Sequence, residues 1–245
     1  MRLCEKKLHA EAQGRSLDCG VLYLYYYMTA PVQHIIQNNT FWLTPQRCIF
    51  WEEEQALLLS DLHLGKTGHF RKNGIPVPQK IFKEDLQCLL DQISYFKPKK
   101  IIAVGDLFHS EANKEMDLFL KWRNDFPDLL FILVKGNHDI LHADWYAKAG
   151  ILVKEGLYTV GDFDFVHDPA ELKTENMHYL FSGHIHPGVS ISGLGKQNLQ
   201  FPCYYFSNKL AILPAFSKFS GLAIMKKKKT DTVFAIVNQS LVNIK

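Results

Sequence analysis

The 245 residues, 47% of them hydrophobic and 22% charged, are enough to bury a substantial core within one domain. A formal net charge of +3 leaves no basic or acidic tail, so composition singles out neither nucleic acid nor a membrane surface as a partner. Five cysteines, Cys4, Cys19, Cys48, Cys88 and Cys203, are scattered without a CxxC pair; this argues against a zinc knuckle or a disulfide framework and points to a reducing cytoplasm.

The apolar run Val21–Met28 is too short to cross a bilayer, which takes roughly 20 residues. A signal peptide fits poorly, because Glu5 and Glu11 dilute the basic start and no A-x-A-like cleavage site follows. Residues 1–27 are expected to be disordered, or translation to start at Met28; the domain is read as residues 34–245, with 1–33 as an extension. From Phe41 onward short apolar runs alternate with polar helical stretches, as in α/β proteins. Thr40–Leu43 and Cys48–Trp51 predict a hairpin around Thr44-Pro45-Gln46-Arg47, and Ala56–Ser60 a buried strand. Lys100–Val104, Leu130–Val134, Phe163–Val166 and Tyr179–Ser182 read as further strands. Apolar spacing predicts helices over Lys80–Phe96 and Lys114–Asn124. The last third, with runs at Leu199–Phe206, Leu210–Leu213, Gly221–Met225 and Thr232–Val237, reads as strands joined by turns.

Five of the strand-like runs end in polar residues of one chemical type: Ser60-Asp61-Leu62-His63, Gly105-Asp106, Gly136-Asn137-His138-Asp139, Val166-His167-Asp168 and Gly183-His184-Ile185-His186. Carboxyl ends of neighbouring strands in an α/β sheet converge on one edge, so these blocks are expected to share a cleft. Alternate residues of an extended segment point the same way, which would let Asp61 and His63 share one ion, and likewise His184 and His186, although a turn could let each of those two serve a different ion. Asp106, placed after a buried strand and a glycine, suits a carboxylate bridging two cations. Hard oxygen and imidazole donors without thiolate point to manganese, with iron or zinc as alternatives.

These blocks, D-x-H, G-D, G-N-H-[DE], H and G-H-x-H in order, resemble the signature of the calcineurin-like metallophosphoesterases. Asp61-Leu62-His63-Leu64-Gly65-Lys66, Gly74-Ile75-Pro76-Val77-Pro78 and Leu213-Pro214-Ala215-Phe216 resemble the bacterial ligase-associated DNA damage response endonucleases, the PdeM-type phosphoesterases. The resemblance spans roughly residues 34–222. It implies a four-layer α-β-β-α sandwich of two mixed β-sheets flanked by helices. It also implies one divalent ion on Asp61, His63, Asp106 and His186, and a second on Asp106, Asn137, His167 and His184. His138 would face the substrate, stabilising the transition state or protonating the leaving oxygen, with Asp139 orienting its ring. The implied nucleophile is an activated water, with no covalent enzyme intermediate. By resemblance alone, the substrate is a phosphodiester, DNA included, and a DNA ligase and a helicase are functional associates.

Two other functions stand beside this one: a phosphomonoesterase acting on a small phosphorylated metabolite or nucleotide, and a non-catalytic interaction scaffold with the same fold. Protein Ser/Thr phosphatases continue G-D-x-V-D-R-G after the second block, whereas this chain reads Gly105-Asp106-Leu107-Phe108-His109-Ser110, which argues against a phosphoprotein substrate. For His167, the neighbouring Asp168 is an alternative ligand. His109 is either a cleft residue or a support for a ligand. Lys66, Arg71 and Lys72 are candidate phosphate contacts, with ordinary solvated cations as the competing reading. Lys226–Lys229 reads first as charge that protects a sheet edge, and otherwise as a grip on a nucleic-acid backbone. Gly193-Leu194-Gly195-Lys196 lacks the setting of a phosphate loop and reads as a turn.

Overall fold

A computed structural model describes residues 30–72, 74, 80–109, 114–172, 178–192 and 198–245. The expectations for residues 1–27, for residues 75–78 and for the 193–196 turn lie outside the described residues. Residues 31–245 fold as one unit.

Seven strands form the first sheet, in the order β1 (Val32–Ile36), β2 (Asn39–Leu43), β3 (Ile49–Trp51), β4 (Ala56–Leu59), β5 (Lys100–Val104), β6 (Leu130–Val134) and β7 (Ile151–Lys154). The first four are antiparallel neighbours; β4, β5, β6 and β7 run parallel. Parallel neighbours need long crossovers, and helices supply them. These are α1 (Lys66–Lys72) and α2 (Lys80–Phe96) between β4 and β5, α3 (Lys114–Asn124) between β5 and β6, and α4 (Ala143–Lys148) between β6 and β7. The second sheet is built from β8 (Tyr158–Val160), β9 (Phe163–Val166), β10 (Tyr179–Ser182), β11 (Pro187–Ser192), β12 (Asn198–Phe206), β13 (Leu210–Ile212), β14 (Ala223–Ile224), β15 (Thr232–Val237) and β16 (Ser240–Ile244). Its central strands β9, β10 and β13 are parallel, and the rest pair mainly antiparallel.

The period-two alternation of the central strands sorts residues into two cores. Leu57, Leu59, Ile101, Ala103, Phe131 and Leu133 pack against Phe82, Leu86 and Leu89 of α2, Met116 and Phe119 of α3, and Tyr146 of α4. The residues between them, Leu58, Ile102, Val104, Ile132 and Val134, face Phe163, Phe165, Phe181, Tyr204 and Phe206 of the second sheet. The fold is thus two mixed sheets, face to face, with flanking helices. Among the described residues those helices lie on the outer face of the first sheet. The outer face of the second carries a smaller cluster of strand residues around Val189, Cys203, Tyr205, Ile212 and Val233. No helix among the described residues is long and apolar enough to cross a membrane.

The consequence for the site is directional. β4, β5 and β6 end on the same edge of one sheet, β9 and β10 on the same edge of the other, and the buried aromatic layer holds the two edges together. All five polar blocks follow those five strand ends.

Candidate metal centre

Backbone hydrogen bonds stitch the two edges together. Asp61 N–H donates to the Gly105 carbonyl at 3.1 Å, His63 N–H to the Asp106 carbonyl at 2.9 Å and Gly183 N–H to the His167 carbonyl at 3.1 Å. Across the sheets, Phe216 N–H reaches the Ser60 carbonyl at 2.8 Å, and His184 N–H donates to the Asp61 carboxylate, 3.1 Å from Oδ2.

The expectation that strand alternation aims the paired ligands is corrected here. Asp61, His63, Asp106, His184 and His186 all have left-handed backbone, with φ of 54°, 49°, 49°, 65° and 51°. These residues lie past the strand ends in tight turns, and the turns rather than the pleat direct the side chains into the cleft. A non-glycine residue in this region costs on the order of 1–3 kcal/mol, and such strain persists where function demands the geometry. Five instances on five candidate ligands mark the site independently of residue type.

The glycines of the blocks have a specific steric role. A Cβ on Gly105, where φ is +80°, would lie 2.0 Å from His167 Nδ1; one on Gly136, 2.3 Å from Asp106 Oδ1; one on Gly183, 2.7 Å from Asp61 Oδ2. Ligand side chains occupy the space that any other residue would fill.

Two groups of donor atoms result. Asp61, His63 and His186 offer atoms within 4.8 Å of one another, and so do Asp61, Asp106 and His167. His186 Nε2 is 3.2 Å from Asp61 Oδ1 and 3.4 Å from His63 Nε2. In the second group His167 Nε2 is met by Asn137 Oδ1 at 3.2 Å, His184 Nδ1 at 3.2 Å and Asp106 Oδ1 at 3.4 Å. The other ring nitrogen of His167 donates to the Val104 carbonyl at 3.1 Å, the arrangement that fixes a ligating imidazole with its free lone pair forward. Asp106 spans both groups: Oδ1 faces His167, while Oδ2 is 3.9 Å from His63 Nδ1. Asp61 is a second carboxylate common to both.

Electrostatics agree with a cation site. Burial alone would lower the pKa of His167, but the hydrogen bond and charge of Asp106, with the charge of Asp61, raise it to about 9. Burial likewise pushes Asp106 up, yet His167, the His138 N–H and His63 bring it down to about 2. The field that holds a proton on His167 would also favour a metal cation, which must displace that proton to bind. His63 is lowered to about 3, chiefly by burial, so its ring is neutral and ready to ligate; its Nδ1 is buried with no hydrogen-bond partner among the described residues.

All seven predicted ligands, Asp61, His63, Asp106, Asn137, His167, His184 and His186, therefore meet at one edge. Their donor set and spacing fit a pair of divalent cations. The calcineurin-like phosphoesterase profile matches residues 55–202, well over half of the chain. The chain belongs to the calcineurin-like phosphoesterase family. It is accordingly a metal-dependent phosphoesterase of a family that works with two metal ions. Among solved structures, a nuclease MPE from Pseudomonas putida superposes with a TM-score of 0.73 at 23% identity, covering 84% of this chain and 96% of that one; this likeness establishes the fold. The E. coli phosphoesterase Yfce aligns over 77% of this phosphoesterase and 97% of its own chain at 12% identity, but with a TM-score of only 0.40. No curated protein sequence gives a significant match.

Around the seven ligands, other expectations divide. His138 stands at the mouth, partly exposed, with Nε2 4.0 Å from Asp106 Oδ2 and its N–H donating to Asp106 Oδ1 at 2.9 Å. The expected role of Asp139 in orienting the His138 ring is not what the phosphoesterase uses it for. Its buried carboxylate accepts from Phe108 N–H at 3.0 Å and Gly136 N–H at 2.9 Å, tying the second block to the third. Burial pushes its pKa up to about 7 against those two bonds. His109 packs on His138, ring centroids 4.5 Å apart, and edge-on to His63 at 5.2 Å. Asp168 caps the short helix Pro169–Glu171 by accepting from Ala170 N–H through Oδ1, and its Oδ2 lies 3.8 Å from His184 Nε2, at the margin of the cluster in which His167 is buried. Lys66 is close enough to feel Asp61 and Asp106, although burial lowers its pKa. The side chains of Arg71 and Lys72 lie outside the described residues.

One supporting network is not legible in the motifs. Arg47, at the hairpin turn with φ 64°, donates through Nη1 to the carbonyls of Ala215 at 3.1 Å and Ser217 at 2.9 Å, and Ser217 Oγ donates to Asp85 Oδ2 at 2.9 Å. This clamps the Leu213–Phe216 segment against Ser60 and Asp61. Its signal in the sequence is an arginine in a predicted turn and an aspartate on a predicted helix, neither unusual alone. Burial raises Asp85 from 3.8 to about 6, opposed by Ser217, the Lys218 N–H and the charges of Lys218 and Arg47. A raised folded pKa means that the folded state holds the proton more tightly. Its stabilising contribution is therefore full below pH 4 and lost as pH rises through 6. Asp85→Asn should gain on wild type by up to about 3 kcal/mol in urea unfolding between pH 4 and pH 7. A difference that does not change with pH would contradict the assignment.

Proposed function

We propose that this phosphoesterase hydrolyses phosphodiester bonds, with DNA as the polymer it acts on and manganese as the metal pair. The observation that carries the reading is His138, a partly exposed imidazole held at the mouth above Asp106, next to both ligand groups. Bound divalent ions supply Lewis-acid charge at phosphoryl oxygens and an activated water near neutral pH. The chain's own residues do the rest. Asp106, Asn137 and the histidines fix the positions; His138 hands a proton to the departing alkoxide, and its ring is braced by His109. A sugar alkoxide is a poor leaving group without a proton, so such a donor suits the ester bonds of a nucleic acid.

Two further points bear on the substrate. Where protein phosphatases place an arginine after the second block, this chain has Ser110, and Leu107 and Phe108 are spent on the core, which argues against a phosphoprotein. The similar fold from Pseudomonas putida is that of a protein named as a nuclease. Free Cys48, Cys88 and Cys203 accord with a cytoplasmic setting.

The test compares bis-p-nitrophenyl phosphate with p-nitrophenyl phosphate, and both with DNA, in the manganese-loaded protein. Diester turnover is expected to exceed monoester turnover. His138→Ala should slow DNA cleavage by about 10²–10⁴-fold while the metal stays bound. The same variant should slow p-nitrophenyl ester cleavage much less, because nitrophenolate leaves without a proton. Preference for the monoester would instead support a phosphomonoesterase.

A further inference from the structure

Lys226, Lys227, Lys228 and Lys229 follow β14 after Met225, on a segment that starts at the backbone of the metal centre. β14 pairs in parallel with β11, Ala223 opposite Pro187. Ala223 N–H donates to the carbonyl of the ligand His186 at 3.0 Å, and Met225 N–H to that of Gly188 at 2.8 Å. The segment bearing the lysines therefore starts on the backbone of the centre itself. At about 3.3 Å per residue, Lys226 lies no more than about 10 Å along the chain from that contact and Lys229 no more than about 20 Å.

The turn is also held in shape. Tyr205, buried in the second sheet, directs its hydroxyl at both the Lys226 carbonyl, at 3.3 Å, and the Asp231 carboxylate. Lys228 N–H donates to Asp231 Oδ2 at 2.8 Å, and Asp231 N–H returns to the Lys228 carbonyl at 3.1 Å. Asp231 is thus engaged by a phenol, a backbone amide and the Thr230 hydroxyl, with the charge of Lys228 near enough to act on it. The lysine ion pairs among the described residues lie elsewhere, at Lys80, Lys100 and Lys135. Lys226, Lys228 and Lys229 are exposed and Lys227 half-buried. Protection of a sheet edge needs charge within the edge strand, but β14 covers only Ala223 and Ile224, and the lysines come after it. Four adjacent like charges repel one another, so a backbone that fixes them together calls for an anion partner.

We propose that this turn grips the phosphate backbone of a nucleic acid whose scissile phosphate sits in the metal centre; the proposal rests on the diester reading above. Phosphates recur about every 3.4 Å of rise along a strand, so the lysines would meet those within roughly six nucleotides of the cut. If all four engage duplex DNA, they account for a slope of about −3.6 in log affinity against log salt. That is about a 10²-fold loss between 50 and 200 mM.

The experiment uses the full chain and its Lys226→Ala/Lys227→Ala/Lys228→Ala/Lys229→Ala variant. Anisotropy of a labelled duplex of about 30 base pairs is followed across that salt range, and turnover of bis-p-nitrophenyl phosphate serves as the control. The variant should bind DNA with most of that extra salt dependence gone, while the small diester is turned over as before. Tyr205→Phe, which loosens the turn and keeps every charge, should fall between the two. Unchanged DNA binding and salt slope in the variant overturns the proposal while leaving the diester reading intact. Wild type that hydrolyses the small diester but binds no DNA overturns the proposal and DNA as the substrate, while diester hydrolysis itself stands. Salt-sensitive binding to phosphatidylserine vesicles, lost in the variant while DNA binding persists, reassigns the turn to a membrane surface and overturns it as well.

Discussion

Asp106→Asn is expected to reduce phosphodiester turnover by on the order of 10³-fold or more, through loss of several kcal/mol of charge stabilisation at the phosphoryl group. The substitution is nearly isosteric, and asparagine tolerates the left-handed backbone at this position, φ 49°. What changes is the anion between the two ligand groups. Oδ1 faces His167 and Oδ2 faces His63, so its charge serves both. Without that charge the field at His167 weakens, and both cations should bind less tightly. Stability distinguishes this from unfolding. The metal-free variant should still unfold cooperatively but melt below wild type near pH 7, because the ionised Asp106 is held in the fold by His167, the His138 N–H and His63. Thermal melts and steady-state kinetics on the same samples check both halves, and retained activity would exclude Asp106 as the shared ligand.

Gly105→Ala should be nearly as damaging although the residue contributes no side chain. The added methyl would lie 2.0 Å from Nδ1, 2.3 Å from Cγ and 2.6 Å from Cβ of His167, and alanine at φ +80° adds a backbone cost of about 1–2 kcal/mol. His167 is held on its other side by Asn137, His184 and Asp106. It can yield only by leaving the cluster. Gly105→Ala is therefore expected to match His167→Ala in lost turnover, about 10²-fold or more. The double variant should lose little further, since both act on one group. Additive losses would show that the glycine acts elsewhere.

The convergence of the candidate ligands was legible in the sequence because each follows an apolar run, and buried parallel strands end on a common edge. That logic holds for Asp61, Asp106, Asn137, His167 and His184. The reason for D-x-H and H-x-H spacing was not legible: alternation in an extended strand predicts the same neighbours as two left-handed turns, and only the backbone separates them. Helices α2 and α3 showed through their apolar spacing. The short α1 and α4, and strands β1, β7, β8, β11 and β16, did not. α1, α4, β7 and β8 have too few residues for a period to stand out, and β1, β11 and β16 carry exposed positions that break up their apolar runs. Asp139 shows a different limit. A carboxylate beside a predicted catalytic histidine suggests a partner for that ring, yet two backbone N–H groups from separate loops claim both oxygens. The Arg47 clamp joins positions 168 and 170 residues apart, a relation that no local pattern carries.

The most direct test of the dinuclear centre is elemental analysis of protein loaded with manganese and then desalted. Close to two ions per chain in the wild type, falling below one in Asp106→Asn with the fold intact, is the predicted result. One ion or fewer in well-folded wild type, or two ions unaffected by the loss of Asp106, would contradict it.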